Sequence, residues 1–571
     1  MSIRNWTAMI FTGCALVSGA VSCVKADYKL GFDVVPQSER FITRTVTVPI
    51  ENIDILSVDS LSAYSSMRIV VGAVNDNDFG TTRRNCALSL VPVVDTMHWG
   101  RNVHVKGMHL STPHDSSFYK NPLEAHTIHN LHVFALKDKL DSTAIYAEDA
   151  RFRKSNYEGC PSIVLGTPTC NGNDSLHMDF TKAFAESFVP EKVLRGEEYT
   201  EIIDTISKYT QKHNGIFICS DEPVQDGGRI DFFQLELTYD TDTYVLTGGY
   251  AELKFSADYD APDGSVRHQV DTSFLFCFGG TTFDDNCTYY AFNAVENETK
   301  GMEGPAGEYI PVEGGLGLKP VIRSTQLRSL AMNALKDTLA KYGHSDPEKA
   351  FTDRQVVINR ATINLPYEFP EDYTRMKLYP RFLNPTVRIS NQGSVTYAGL
   401  SDASVSTENQ GEIDRSNNCY HPDISYHMQS ICQTKADDAT MLEKQNVWFM
   451  ILSNETIITK KTTSSEEDYY NQMAYLNYYN SMMGGYGGYG YGGYGYGYGG
   501  YGGYGGYDSY SNYYNYYMMQ SYYNSLSSGS SSTVTTMMDK DRYFKALLNG
   551  PKAKNGNVPT LSITYSIVDV R

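Results

Sequence analysis

A chain of 571 residues with a formal net charge of -18 exceeds what one hydrophobic core can organise, so two or three domains are expected. Its 66 acidic residues outnumber 48 basic ones and no Lys/Arg cluster is present, which argues against nucleic acid or an anionic membrane surface as the main partner. At 41% hydrophobic residues, with 44 tyrosines, the composition is globular outside one Tyr/Gly tract.

Residues 1–22 read as an export signal, with one early cation, Arg4, followed by an uncharged apolar and small-residue segment. Ala20-Val21-Ser22-Cys23 resembles the bacterial lipobox, in which small residues precede a cysteine that is acylated and becomes the mature N-terminus. Ala20 stands where Leu is commoner, and a plain cleaved signal peptide is the alternative. Cys23 is thus the expected lipid anchor and residues 23–40 a lipid-anchored linker. No later run approaches 18 apolar residues, so the lipid is the expected attachment to the membrane. Only one acid stands in Val24-Lys25-Ala26-Asp27, which leaves open whether the protein faces the periplasm or the cell surface.

Beyond the linker, FITRTVTVPI (41–50), MRIVVGAV (67–74), CALSLVPV (86–93), NVHVKGMHL (102–110), NLHVFAL (130–136) and LHMDF (176–180) carry strand signals bounded by Asn, Asp, Gly and Ser. The spacing of Tyr199, Ile202, Ile203, Ile206 and Tyr209 predicts a helix over EEYTEIIDTISKYTQK. GIFICS (215–220), FFQLELTY (232–239), YAELKFSADY (250–259) and TSFLFCF (272–278) return to strand. The Gly-rich, Pro-punctuated GMEGPAGEYIPVEGGLGLKP marks a boundary near 300, giving domains over 41–300 and 301–571. A second helix is expected in LRSLAMNALKDTLAKY. Strands follow in VVINRATINLPY (356–367), TVRIS (386–390), VWFMILS (447–453), RYFKALL (542–548) and TLSITYSIV (560–568). Between the last three lies a low-complexity insert over 469–535, including GGYGGYGYGGYGYGYGGYGGYGGY at 484–507. Because loop-closure cost grows slowly with length, the tract reads as an expanded, disordered surface loop; the alternative is an adhesive tyrosine surface.

Besides Cys23, eight cysteines follow the signal, an even number that permits disulfides in an exported chain. Spacing singles out Cys160 with Cys170, Cys277 with Cys287, and Cys419 with Cys432; buried free thiols are the competing reading.

An ordered set of segments resembles one known family. DYKLGFDVVPQSE and VVGAVNDNDFGTTRRNCALSLVP, then HNLHVFALKDKLDSTAIY, KHNGIFICSDE, EYIPVEGGLGLKPVI, VVINRATINLPYEF and VPTLSITYS are similar to successive segments of the domain of unknown function 4270 family, lipoproteins of Bacteroidota. NVHVKGMHL lacks the Asp-Ser usual there, and the Tyr/Gly tract is not a feature of that family. The resemblance implies a β-rich envelope lipoprotein of unassigned activity and brings no catalytic residues with it.

No HExxH, GxSxG, P-loop or dinucleotide fingerprint occurs. His126, His129 and His132 in HTIHNLH are the nearest approach to a metal motif, but a loop and strand need not make them converge, and solvated imidazoles are the simpler reading. Asp-Ser/Thr-aliphatic triplets at Ser60, Thr96, Ser175, Thr205 and Thr338 resemble O-glycan acceptors of Bacteroidota envelope proteins. The expectation is a mainly β chain of two β-sandwich-like, jelly-roll-like regions with a few short helices. It is read as non-enzymatic, without cofactor, lipid-anchored at the outer membrane, with an envelope protein or a glycan as partner and no nucleic acid; a surface glycan-binding protein or hydrolase, and an adhesin, are the alternatives.

Overall fold

The computed structural model describes residues 41–459 and 531–568, apart from short stretches at 66–67, 95, 139, 141–146, 204–205, 214, 236, 241–244, 261–263, 279–290, 300, 392–393 and 403–410. The signal segment, Cys23, the linker and the tract at 484–507 lie outside the described residues.

The chain is mainly β, and its larger sheets stack in four layers. Sheet I has six strands, centred on Thr96–Thr112, Tyr250–Asp260 and Val266–Cys277. Ten strands make sheet II, among them Arg68–Asp76, Gly80–Leu88, His129–Ala135, Ile216–Ser220 and Gly227–Gln234. Sheet III has seven, including Leu318–Ile322, Phe382–Asn391 and Val447–Thr459. Five strands form sheet IV, led by Phe41–Pro49, Val356–Pro366 and Thr560–Val568.

Side-chain alternation builds the stack. In Ile216–Ser220, Ile216 and Ile218 enter the core shared with sheet I, whereas Phe217 and Cys219 enter the core shared with sheet III. Sheet III repeats the device, sending Trp448, Met450 and Leu452 toward sheet II and Phe449 and Ile451 toward sheet IV. A strand buried on both faces has no polar side to alternate with, which is why GIFICS and VWFMIL are continuous apolar runs. The outward face of sheet I, at one end of the stack, carries exposed His98, His104 and Lys106.

The boundary near 300 divides most strands, but the first two described strands cross it. Phe41–Pro49 pairs along nine residues with Thr560–Val568, and Asp54–Ser57 pairs with Leu318–Ile322. Residues 41–57 thus belong to the sheets of the second half, because the open edges that need a partner strand lie there. The expected helix over 197–212 is also corrected: Tyr199–Ile202 is a strand paired to Thr96–Thr112, and only Ile206–Lys212 is helical. Pairing to an available edge outweighs the helical spacing of β-branched residues whose intrinsic helix preference is weak. The second helix is present as Ser324–Lys341, burying Leu327, Ala331, Leu335 and Leu339 in the core between sheets III and IV.

Val447–Thr459 and Ser531–Met538 form an antiparallel pair whose last registered partners are Thr459 and Ser531. This strand pair brackets residues 460–530, which lie outside the described residues.

Seven described cysteines are free thiols, which corrects two expected bridges. Cys170 donates to Asp231 Oδ2 at 3.4 Å, while Cys160 sits beside Lys137, whose Nζ is 3.1 Å from its sulfur. Cys432 is fully buried on the helix Ser425–Gln433, and Cys419 faces His421. Cys160, Cys170 and Cys419 each face a different neighbour, and Cys432 lies buried on its helix, so neither pair closes. Cys277 donates to Val91 O at 3.5 Å; its expected partner Cys287 lies outside the described residues.

Candidate functional site

The densest chemistry among the described residues lies in the seam between the two halves, on the Gly-rich turn VEGGLGLK at 312–319. Two glycines make the turn possible. A Cβ on Gly314 would stand 2.3 Å from Arg542 O, and one on Gly315, whose φ is +54°, 2.6 Å from Lys540 O. The segment 539–545 can therefore lie against the turn, and it brings charge with it.

Glu313 and Lys545, cross-strand partners of Tyr309–Glu313 and Lys545–Asn549, form a buried ion pair. The second Glu313 oxygen accepts from Leu318 N at 3.0 Å. Lys319 donates to the carbonyls of Glu313, Gly315 and Gly317, the last two at 2.9 and 3.1 Å. Asp539 accepts from Gly315 N at 2.8 Å and from Arg542 N at 3.1 Å. Burial pushes the Asp539 carboxyl up, with Asp541 adding to the effect, and pushes the Lys319 ammonium down.

The first half contributes Arg68, which pairs with Asp541 at 3.5 Å, Thr82, 3.4 Å from Lys545 Nζ, and Asp76, 3.4 Å from the Tyr543 hydroxyl. Arg84 enters from Gly80–Leu88 with 1% exposure, and its Nε and Nη1 have no hydrogen-bond partner among the described residues. Burial lowers its guanidinium's pKa against the pull of Asp539, Asp541 and Glu313. Thr82, Arg84, Asn297, Arg542 and Tyr543 line a recess too tight to admit even a water molecule. The arrangement is thus suited to fastening the halves together by charge-assisted bonds and not to holding a guest.

A second buried pair clamps the first half internally. Arg229 donates from Nε to Asp231 Oδ1 at 2.7 Å and through its terminal nitrogens to the carbonyls of Glu124, Ala125, Thr127 and Cys170 at 2.8–3.2 Å. One guanidinium thereby satisfies four main-chain acceptors from two separate segments.

The three histidines of HTIHNLH do not converge. His126 is exposed at the end of a short 3-10 helix, and His129 and His132 project from opposite faces of one strand. His132 Nε2 lies 2.7 Å from Asp221 Oδ1, and burial together with Arg229 depresses the His129 imidazole. Metal-type ligands instead meet at Asp414, Cys419 and His421, of which only Cys419 was singled out from the sequence, and for a disulfide. Ser60, Thr96, Ser175 and Thr338 are partly exposed, with Thr338 on a helix; Thr205 lies outside the described residues. The seam residues Arg84, Glu313, Lys319, Asp539 and Lys545 escaped sequence reasoning. Their one visible signal is the pair of charges bracketing three glycines in EGGLGLK.

Comparison with protein-family models, with curated proteins and with solved structures finds no match for the chain.

Proposed function

We propose that the protein is a lipid-anchored cell-envelope component that binds or assembles with another envelope protein, without enzymatic activity of its own. The observation that carries this reading is the pairing of a lipobox-like Ala20-Val21-Ser22-Cys23 with a body whose first described strand, Phe41–Pro49, is an edge strand of the outermost sheet IV. Seventeen residues, Val24 to Arg40, separate the expected acyl cysteine from that strand, a tether of at most about 60 Å. The similarity to Bacteroidota lipoproteins and the outer membrane as destination belong to the same reading. A body fastened through its seam by buried charges suits presentation of fixed surfaces to a partner.

The test is purification of the tagged full-length protein from native membranes in mild detergent, with Cys23→Ser as control. A stoichiometric outer-membrane partner, lost together with membrane association in the control, is expected. Membrane association unaffected by Cys23→Ser, or a protein recovered alone, overturns the reading.

Glycan capture is the second reading, favoured by the rings of Phe369 and Tyr373, 52% and 73% exposed on the loop after Val356–Pro366. Aromatic faces of this kind stack on sugars. Saturable binding of soluble glycans, abolished by Phe369→Ala with Tyr373→Ala, would favour it.

A further inference from the structure

At one end of sheet IV, two short strands, Ile413–Asp414 and Cys419–Tyr420, form a tight hairpin that pairs Asp414 with Cys419. The connecting turn is fixed by Asp414 itself. Its Oδ1 accepts from Ser416 N at 2.9 Å and Asn417 N at 3.0 Å, and its Oδ2 accepts from the Asn417 side-chain amide at 2.7 Å. Asn418, with φ at 52°, completes the reversal. The carboxylate is thereby held in place before any ligand arrives.

Cys419 and His421 are two residues apart, so both project to one side of the chain, and Cys419 Sγ stands 3.6 Å from His421 Nδ1. Ligand atoms of Asp414, Cys419 and His421 all lie within 4.8 Å of one another. Zinc bound tetrahedrally at about 2.3 Å to sulfur and about 2.0 Å to nitrogen places those two atoms about 3.5 Å apart. The sulfur–nitrogen edge is therefore already at coordination length, and the carboxylate oxygen, within 4.8 Å of both, needs at most about an ångström of movement to join them.

We propose that Asp414, Cys419 and His421 form a three-ligand site for a borderline-soft divalent metal ion, zinc by its chemistry, with a fourth position left for water or an incoming ligand. Thiolate and imidazole select zinc over magnesium or calcium, which take oxygen donors. One thiolate and one carboxylate neutralise a divalent charge, and the thiol proton leaves to solvent on binding. Cys419 is buried while Asp414 and His421 are half-exposed, so the open position faces outward. Asn417, bonded to Asp414, orients the carboxylate in the way that outer hydrogen-bond partners orient metal ligands.

The experiment uses the full-length protein, stripped with chelator and titrated with Co2+ and then Zn2+. One equivalent of Co2+ is expected, with thiolate-to-cobalt charge-transfer absorption that Zn2+ displaces. Cys419→Ser removes that absorption, Cys160→Ser leaves it intact, and His421→Ala weakens binding by roughly 100-fold or more. His421 is half-exposed, so its variant reads the site even where Cys419→Ser does not fold. No bound Co2+, or absorption and affinity unchanged in His421→Ala, overturns the site and leaves a thiol–imidazole hydrogen bond.

Discussion

Lys545 and Glu313 face each other across an antiparallel pair with side chains 4% and 2% exposed, an ion pair taken almost wholly out of water. Breaking such a pair from one side leaves a bare charge in the seam. Lys545→Met is expected to cost about 3–5 kcal/mol in denaturant unfolding, and the double variant Lys545→Met/Glu313→Leu less than the sum of the two singles. Additive losses would show that the two charges do not depend on each other.

Sharing of cores makes a claim about cooperativity. Trp99 packs between sheets I and II, and Trp448 between sheets II and III. Single-tryptophan reporters, made by replacing Trp6 and either Trp99 or Trp448 with Phe, are expected to unfold at the same denaturant midpoint. Phe217→Ala, in the shared middle layer, should lower both reporters together by about 3–5 kcal/mol. Two separated midpoints would mean the halves unfold independently.

Buried thiols set the alkaline limit. Burial raises Cys170 and Cys419 to about 11 and Cys219 and Cys432 to about 12, and raises Cys86 further. A raised folded pKa means stability that is full below the unfolded value near 9 and is lost as pH rises toward the folded value. Lys319, Lys540 and Lys545, depressed by burial, act in the opposite sense, but five thiols outweigh three lysines. Stability should therefore fall between pH 9 and 11, more gently in Cys432→Ala. A denaturation midpoint flat or rising across that range would contradict it.

Thiol reactivity follows from the same geometry. Of the seven described cysteines, Cys160 alone is more than marginally exposed, so it should be alkylated in the native protein while the other six react only on unfolding. Peptide mapping after differential alkylation reads this directly. Protection of Cys160 with Cys170, removed only by reductant, would restore the disulfide reading.

How much of this was legible follows from which patterns are local. FITRTVTVP and TLSITYSIV announce strands by alternation, since one face of each meets a core. GIFICS announces a strand by a run of apolar residues, but not that its two faces serve different cores, because that depends on sheets far apart in sequence. Tyr199–Ile202 misled because helical spacing and strand pairing compete for the same β-branched residues, and an edge 100 positions away decided it. Arg84, Glu313 and Asp539 left almost no trace, since a lone charge in a strand reads as solvated until the segments that bury it are known. Cys419 and His421 were visible as residue types, and Asp414 joined them only once the hairpin register was seen.

The order of strands in sheet IV has a consequence for how the protein is made. Thr560–Val568 lies between Phe41–Pro49 and Val356–Pro366, and Thr43 bonds to Ser566 across 523 positions of sequence. Threaded through a membrane N-terminus first, the chain would carry its opening strand without a partner until the last segment emerged. Without residues 560–568, both Phe41–Pro49 and Val356–Pro366 would lose the partner strand between them, a lesion that chaperones and proteases recognise. Completion of the outermost layer thus doubles as proofreading: Phe41–Pro49 finds its partner only once residues 560–568 have been made.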